Sequence, residues 1–267
     1  MTTGEFELPV TSWMVSPVYT IAESARLAMA ARLFDEFGVS ALPVLDASSR
    51  LTGVISKGDL IRAGRLRSSG TRGEPLLWLP DKTVVEFMLT SVPVVRPQLP
   101  LWACAARMVD QASPRLYVTE DGPLEGVVST REMVRAVSRS NVTTPIAELG
   151  IPSASIAASA PLSVAHAQMA APSAQCLIVH NADGVPVGVF SRAEARASIE
   201  ASPEDSVNMW MDARVISFSG KTPTREAAEK ALLAGCRYGI TRAAEHPSRV
   251  VSGLAFASVV TGGEPAL

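Results

Sequence analysis

The chain has 267 residues, of which 47% are hydrophobic and 19% charged, and this composition excludes disorder over most of its length. The formal net charge of −2 provides no general attraction to nucleic acid or anionic lipid, so neither is expected as a partner. No apolar run approaches the roughly 18 residues of a membrane-spanning helix, the N-terminus lacks the features of a secretory signal, and three widely spaced cysteines suit reduced thiols. We therefore expect a cytoplasmic protein.

Four copies of one short pattern divide the chain into repeats. A glycine followed by apolar residues occurs as GVIS at 53–56, GVVS at 126–129, GVFS at 188–191 and GLAF at 253–256. A second landmark precedes these glycines by 39, 38, 39 and 42 residues, at Met14, Met88, the region of Leu149 and Met211. Two landmarks that keep their spacing four times indicate a tandem repeat of about sixty residues.

Each repeat is predicted to have the element order β-α-β-β-α, which makes the chain an α/β protein built from α+β repeats. An extended segment and an alanine-rich amphipathic helix are followed by a strand, a turn, the glycine-bearing strand and a short helix. A repeat of this size has too little apolar surface to fold alone, so the repeats should pair. The predicted pairs are 1–140, with repeats at about 8–68 and 80–140, and 141–267, with repeats at about 141–202 and 203–263.

The first predicted helix shows how the core is expected to form. Ala25, Met29, Leu33 and Phe37 recur at helical spacing in AESARLAMAARLFDEFG, so this face should be buried, and Gly38 should end the helix. Met29, together with Trp102 and Met108, is interpreted as core packing.

The segment 62–83 is the most linker-like part of the chain. It contains Ser-Ser-Gly, two prolines, and Arg62, Arg65, Arg67 and Arg72. It is interpreted as a solvated loop, with an arm that contacts anions as the alternative.

The stretch Ser56-Lys57-Gly58-Asp59, where a strand gives way to a helix, has two interpretations. The first is a capping box, in which the serine caps the helix and the acid reaches back to the serine amide. The second is a ligand contact, because a carboxylate can accept hydrogen bonds from both hydroxyls of a ribose diol. Capping boxes usually carry the longer Glu or Gln, as at Glu132 and Glu194, so we expect Asp59 to hold a diol.

These motifs resemble the CBS-domain family over nearly the whole chain. Repeat one matches best, with MVSPV, GVSALPVLD and GVISKGDLI; repeat two keeps MLTSVPVV and GVVSTREMV, and repeat three keeps GVFSRAEAR. The resemblance implies four CBS repeats paired into two Bateman modules. Such modules are regulatory, and many bind AMP, ADP, ATP or S-adenosylmethionine between paired repeats, whereas some bind other ligands or none.

The resemblance also implies roles for particular residues. Asp59, with Ser56 beside it, would contact the ribose, and the base would lie near Ser16, Pro17 and Val18 and near Ala41, Leu42 and Pro43. Lys57 and Arg131 either face phosphate or lie on a solvated surface. Ser129 and Glu132 are the corresponding candidates in repeat two, whereas Phe256 and Val259, aligned to the motif in repeat four, would make no diol contact.

Chemistry of other kinds finds little support in the sequence. The three histidines lack the spacing of metal ligands, and neither a nucleophile elbow nor a phosphate-binding glycine loop occurs. We therefore expect no catalytic residue, no metal site and no required cofactor. The expected function is a non-catalytic sensor of adenine nucleotides or S-adenosylmethionine that acts as a homodimer on an effector protein. The alternative is a structural interaction module with ligand-free clefts.

Overall fold

A computed structural model describes residues 3–68, 75–120, 122–243 and 246–262. The described chain forms two compact units. The small unit consists of Val15–Arg96 and Tyr117–Val127, and the large unit contains the remaining described residues.

The four repeats have the predicted β-α-β-β-α order, which confirms the fold class. The elements of repeat one are β1 (Ile21–Ala22), α1 (Leu27–Glu36), β2 (Ala41–Leu45), β3 (Leu51–Ser56) and α2 (Lys57–Ala63), followed by an additional hairpin of β4 (Arg65–Ser68) and β5 (Pro75–Trp78). Repeat two contains β6 (Val94–Val95), α3 (Leu101–Asp110), β7 (Arg115–Val118), β8 (Gly126–Ser129) and α4 (Thr130–Arg139). Repeat three contains β9 (Ile151–Pro152), β10 (Ala154–Ala157), α5 (Leu162–Met169), β11 (Cys176–His180), β12 (Pro186–Ser191) and α6 (Arg192–Ala197). Repeat four contains β13 (Val215–Ser219), α7 (Thr224–Leu233), β14 (Tyr238–Ala243), β15 (His246–Val251) and α8 (Gly253–Val260).

Each repeat forms a small mixed sheet in the order first strand, second strand, third strand. The first pair of strands is parallel in all four repeats, and the second pair is antiparallel in repeats one, three and four. In repeat four, β9 adds to the free edge of β15. The helix between parallel strands is the crossover that such a connection requires.

The two sequence landmarks mark the contact between paired repeats. Backbone bridges join the residue after a landmark methionine to the residue after a glycine, as in Val15 with Val127 and Val54 with Leu89 in the small unit. Val189 bridges Asp212 in the same way in the large unit. The sequence interval therefore reflects a pairing contact that recurs in each unit.

The core of the small unit corrects the predicted helix face. Its buried residues are Ile21, Leu27, Ala30, Phe34, Leu42, Val44, Ile55, Leu60 and Val84. Helix α1 thus buries the stripe of Leu27, Ala30 and Phe34, whereas Met29 is 45% exposed. Gly38 ends the helix with a φ of +62°, as predicted.

The predicted core residues of α3 lie in the large unit and differ from one another. Met108 is fully buried, as predicted. Trp102 is 41% exposed, and its indole nitrogen donates a hydrogen bond to Glu7 at 3.1 Å, so the prediction of core packing was wrong for this residue.

The linker interpretation of 62–83 was also wrong in part. Arg62 belongs to α2, and β4 pairs with β5 in an antiparallel ladder from Arg65 with Trp78 to Ser68 with Pro75. Arg72 lies outside the described residues.

The large unit buries residues from both faces of its central strand. Leu177 and Val179 of β11 pack with α5 in one core, and Cys176 and Ile178 pack with repeat four in another, because successive strand residues point to opposite faces. Helices α3 and α4 of repeat two pack against α7 and α8 of repeat four. These contacts join both predicted pairs, and a division at residue 140 stays a prediction.

The reactivity of the three cysteines provides a test of how the large unit is packed. Burial raises the pKa of the Cys104 thiol to about 12 and also raises that of Cys176. Both side chains are buried, whereas Cys236 is partly exposed, although burial raises its pKa as well. We expect iodoacetamide at pH 8 to label Cys236 first, and the other two only after unfolding, because alkylation needs an accessible thiolate. Peptide mass spectrometry would check this; early labelling of Cys104 would contradict the packing of α3.

Candidate ligand-binding site

Asp59 lies at the junction of β3 and α2 and forms a capping box with Ser56. Its Oδ2 accepts hydrogen bonds from the Ser56 backbone amide at 2.7 Å and from Ser56 Oγ at 2.5 Å, and its own amide donates to Ser56 Oγ at 3.3 Å. Its Oδ1 accepts a hydrogen bond from the Arg62 guanidinium. The residue is only 8% exposed, so this carboxylate is a buried charge satisfied by its own helix.

The same box closes in repeats two and three. Glu132 accepts from the amide of Ser129 at 2.8 Å, and Glu194 accepts from the amide of Ser191 at 2.9 Å. The argument from side-chain length was therefore wrong, because the shorter Asp59 reaches its cap as well. Capping alone does not distinguish the three acids.

The predicted base-contacting residues of β2 lie on two different faces of the strand, because successive side chains alternate. Leu42 lies in the core and pairs with Ile55 of β3, and its place near the base stays a prediction. Ala41 and Pro43 point to the opposite face of β2. The parallel ladder pairs β1 with β2 only from Ile21 with Val44 onward, and among the described strand pairs none joins β1 to 41–43. The backbone of 41–43 is thus unpaired by β1.

The segment before β1 lies beside repeat two within the small unit. Ser16 is exposed, and its hydroxyl donates to the carbonyl of Glu125 at 2.7 Å. Val18 is partly buried. An aromatic pair next to this segment was not predicted from the sequence: the rings of Tyr19 and Phe37 stack with centroids 3.8 Å apart and 9° between their planes. Tyr19 is 53% exposed and offers a surface on which a base could stack.

The candidate cations have different partners. Lys57 is exposed and forms an ion pair with Asp35 at 3.3 Å. Arg62, predicted only as part of the linker-like segment, pairs with Asp59 from the following turn of α2. Arg131, in the large unit, is exposed, and the structure records no ion pair for its side chain within the described chain.

Glu132, the predicted ligand contact of repeat two, lies in the large unit and is more tightly enclosed than Asp59. Glu132 is 3% exposed and is held by Arg135 at 3.4 Å. Arg135 also donates to the carbonyl of Trp13 at 2.8 Å, and Arg139 lies over the Trp13 ring. A ligand that reached Glu132 would have to displace this layer.

In repeats three and four, the motif acid Glu194 and the residue after the landmark methionine, Asp212, belong to a network of ion pairs. Asp212 accepts hydrogen bonds from Arg214 Nη2 at 2.7 Å and from Arg237 Nη1 at 3.0 Å, and Arg237 lies 3.8 Å from Glu194. Burial alone would raise the pKa of Asp212, but the hydrogen bonds from Arg214 and the charge of Arg237 hold the pKa below its ordinary value. The four charges neutralise one another.

The alignment of repeat four was wrong by four residues. Ser252 occupies the N-cap position of α8 without a side-chain cap, and GLAF lies within this helix, so RVVS at 249–252 corresponds to GVIS in repeat one. The positions equivalent to Ser56 and Asp59 are thus Ser252 and Ala255, in place of Phe256 and Val259. Alanine offers no acceptor, so the expectation of no side-chain diol contact stands.

A shallow cleft of about 440 Å³ lies elsewhere in the small unit. Its lining residues are Arg50, Leu51, Thr90, Val92, Val94, Thr119 and Gly122. The volume is within the range of small-molecule sites, but the lining contains none of the residues predicted from the motif.

These features define a protein of tandem β-α-β-β-α repeats that pair through backbone bridges next to the strand that carries each motif. The family model of the CBS domain matches residues 10–65 and 84–139. Repeats one and two are therefore CBS domains, as the sequence resemblance predicted.

Solved structures are similar over nearly the whole chain. Protein MJ1225 of Methanocaldococcus jannaschii is 13% identical, with a TM-score of 0.71, over 94% of this chain and 99% of that one. A conserved protein of Pyrococcus horikoshii is 18% identical, with a TM-score of 0.59, over 95% of this chain and 100% of that one. At these identities the likeness supports the fold of all four repeats.

A curated relative shares only part of its length with this chain. The A-adding tRNA nucleotidyltransferase of Aquifex aeolicus is 24% identical over 131 residues, which are 49% of this chain and 14% of that enzyme.

Within the described residues, no helix is long and apolar enough to cross a membrane.

Proposed function

We propose that this protein is a non-catalytic regulatory sensor that binds an adenosine-containing nucleotide, or S-adenosylmethionine, in the small unit. Asp59 and Ser56 would hold the ribose, and Lys57 would face phosphate. The base would lie against Ser16, Val18 and the start of β2. The observation that carries the proposal is a buried carboxylate, 8% exposed, at the motif position that contacts ribose in the CBS family.

The surroundings of Asp59 support the same assignment. The backbone at 41–43 pairs with β3 but not with β1, so its β1 side would bond the edge of a base. Ala41, which is half-buried, lies on the face of β2 opposite Leu42, and Tyr19 adds an exposed ring next to the segment of Ser16 and Val18. A few polar contacts within a mainly apolar lining are typical of small-molecule sites.

Repeat two would provide a second, weaker site at Ser129, Arg131 and Glu132, because Arg135 and Trp13 enclose its acid. We propose that a cytoplasmic homodimer passes the ligand signal to an effector protein. Ligand binding would favour whichever arrangement of the protein binds the ligand more tightly, and a partner would respond to that arrangement.

Ligand titration tests the proposal directly. We expect at least one of AMP, ADP, ATP and S-adenosylmethionine to bind in calorimetry and to raise the melting temperature, because a ligand at about 100 times its Kd stabilises the native state by about 2.7 kcal/mol. GMP, which has the same ribose phosphate, should bind more weakly and serves as the control for base recognition. No heat and no thermal shift with any of these compounds at millimolar concentration would contradict the proposal.

One observation favours the alternative of a structural interaction module. The acids at 59, 132 and 194 already have partners in their own chain. If no ligand binds while the protein remains folded and associates with a partner through its helices, this alternative is the better account.

A further inference from the structure

The Asp59 carboxylate has little acceptor capacity left. A carboxylate offers about four lone-pair positions. The amide and hydroxyl of Ser56 both donate to Oδ2, and Arg62 donates to Oδ1. One position on Oδ1 therefore remains, whereas a ribose diol needs two acceptors.

We propose that Arg62 controls access to this carboxylate and makes the site selective for phosphorylated nucleosides, an inference that rests on the proposed function. When Arg62 leaves Asp59, both lone pairs of Oδ1 become available to the two ribose hydroxyls. The released guanidinium then pairs with the ligand phosphate, for which its planar fork is suited.

The exposures of the two side chains determine which of them moves. Asp59 is 11% exposed at its side chain and is fixed by the capping box, whereas the Arg62 side chain is 50% exposed. Arg62 can therefore swing into solvent while the carboxylate stays in place. The capping box survives this change, because Arg62 and Ser56 donate to different oxygens.

Breaking the ion pair between Arg62 and Asp59 should affect the affinities for nucleosides and nucleotides differently. Adenosine must break the ion pair and offers the guanidinium nothing in return. AMP breaks the same pair but provides a doubly charged phosphate as the replacement partner. Wild-type protein should therefore prefer AMP over adenosine, and this preference should depend on Arg62.

The test compares AMP and adenosine by calorimetry on wild-type protein and on Arg62→Ala. We expect adenosine to bind the variant up to about fivefold more tightly, because a half-exposed ion pair no longer competes. AMP should bind it about tenfold or more weakly, because a charge-assisted bond to phosphate is lost. Arg62→Lys, which keeps the charge, should recover part of the AMP preference.

Two further variants act as controls. Arg32→Ala removes the same charge from an exposed pair with Glu36 on α1 and should leave both affinities unchanged. Arg62→Gln serves in place of Arg62→Ala if the alanine variant does not fold, with the same expected direction. If AMP still binds but Arg62 variants change both affinities equally or not at all, the role of Arg62 is refuted and the sensor survives. If neither compound binds wild-type or variant protein, the role of Arg62 is refuted, and the titrations with ADP, ATP and S-adenosylmethionine decide whether the sensor survives.

Discussion

Replacing Asp59 by alanine is expected to weaken nucleotide binding by at least about tenfold and to lower the free energy of unfolding by about 0.5–2 kcal/mol. The affinity falls because a charge-assisted hydrogen bond contributes about 1.5–3 kcal/mol. The stability falls because the Ser56 amide loses its acceptor at the start of α2. Calorimetry and urea unfolding measure the two losses separately.

Two matched variants separate the contributions to this effect. Asp59→Glu should keep the capping box, since Glu132 and Glu194 close the same box in this chain, but should displace the carboxylate from the diol and weaken binding. Glu194→Ala should lose a cap of the same kind without changing nucleotide affinity. If Asp59→Ala lowers stability but leaves affinity intact, Asp59 is only a helix cap.

The repeat architecture could be predicted because its signals are redundant. The landmark methionines and motif glycines keep their spacing since the residues that follow them are bridged in the fold. Where one landmark weakened, the alignment failed. In repeat four the glycine of GLAF was placed 42 residues after Met211, whereas Arg249, the true equivalent, follows it by 38 residues. The better spacing was available in the sequence.

Details that depend on tertiary packing could not be read from the sequence. Helix α1 has two apolar stripes, and the one with Leu27, Ala30 and Phe34 is buried in the core of the small unit. The Met29 stripe has the same period, so periodicity alone does not choose between them. The contact of Arg62 with Asp59 was likewise missed, because the helix was expected to end before Arg62.

Replacing Gly53 by alanine is expected to destabilise the protein by about 1–3 kcal/mol, because the added methyl group overpacks a contact between repeats one and two. An alanine Cβ would lie 2.5 Å from Met88 Sδ and 3.0 Å from the carbonyl oxygen of Leu89. That carbonyl accepts a hydrogen bond from the amide of Val54 at 2.9 Å, so the backbone cannot withdraw without breaking the bridge. Urea unfolding would measure the loss.

The control is Gly58→Ala in α2, where the nearest atom to a new Cβ is Ser56 Oγ at 3.6 Å. This variant should be neutral or more stable by up to about 1 kcal/mol, because alanine favours helix. Met88→Ala should cost less in the Gly53→Ala background than in wild type, since it removes the clashing sulfur. If Gly53→Ala is as stable as wild type, the spacing of the two landmarks has another origin. If Gly53→Ala lowers stability and Met88→Ala costs less in its presence, the two effects are coupled. The glycine and methionine whose spacing identified the repeats then also form the contact that pairs them.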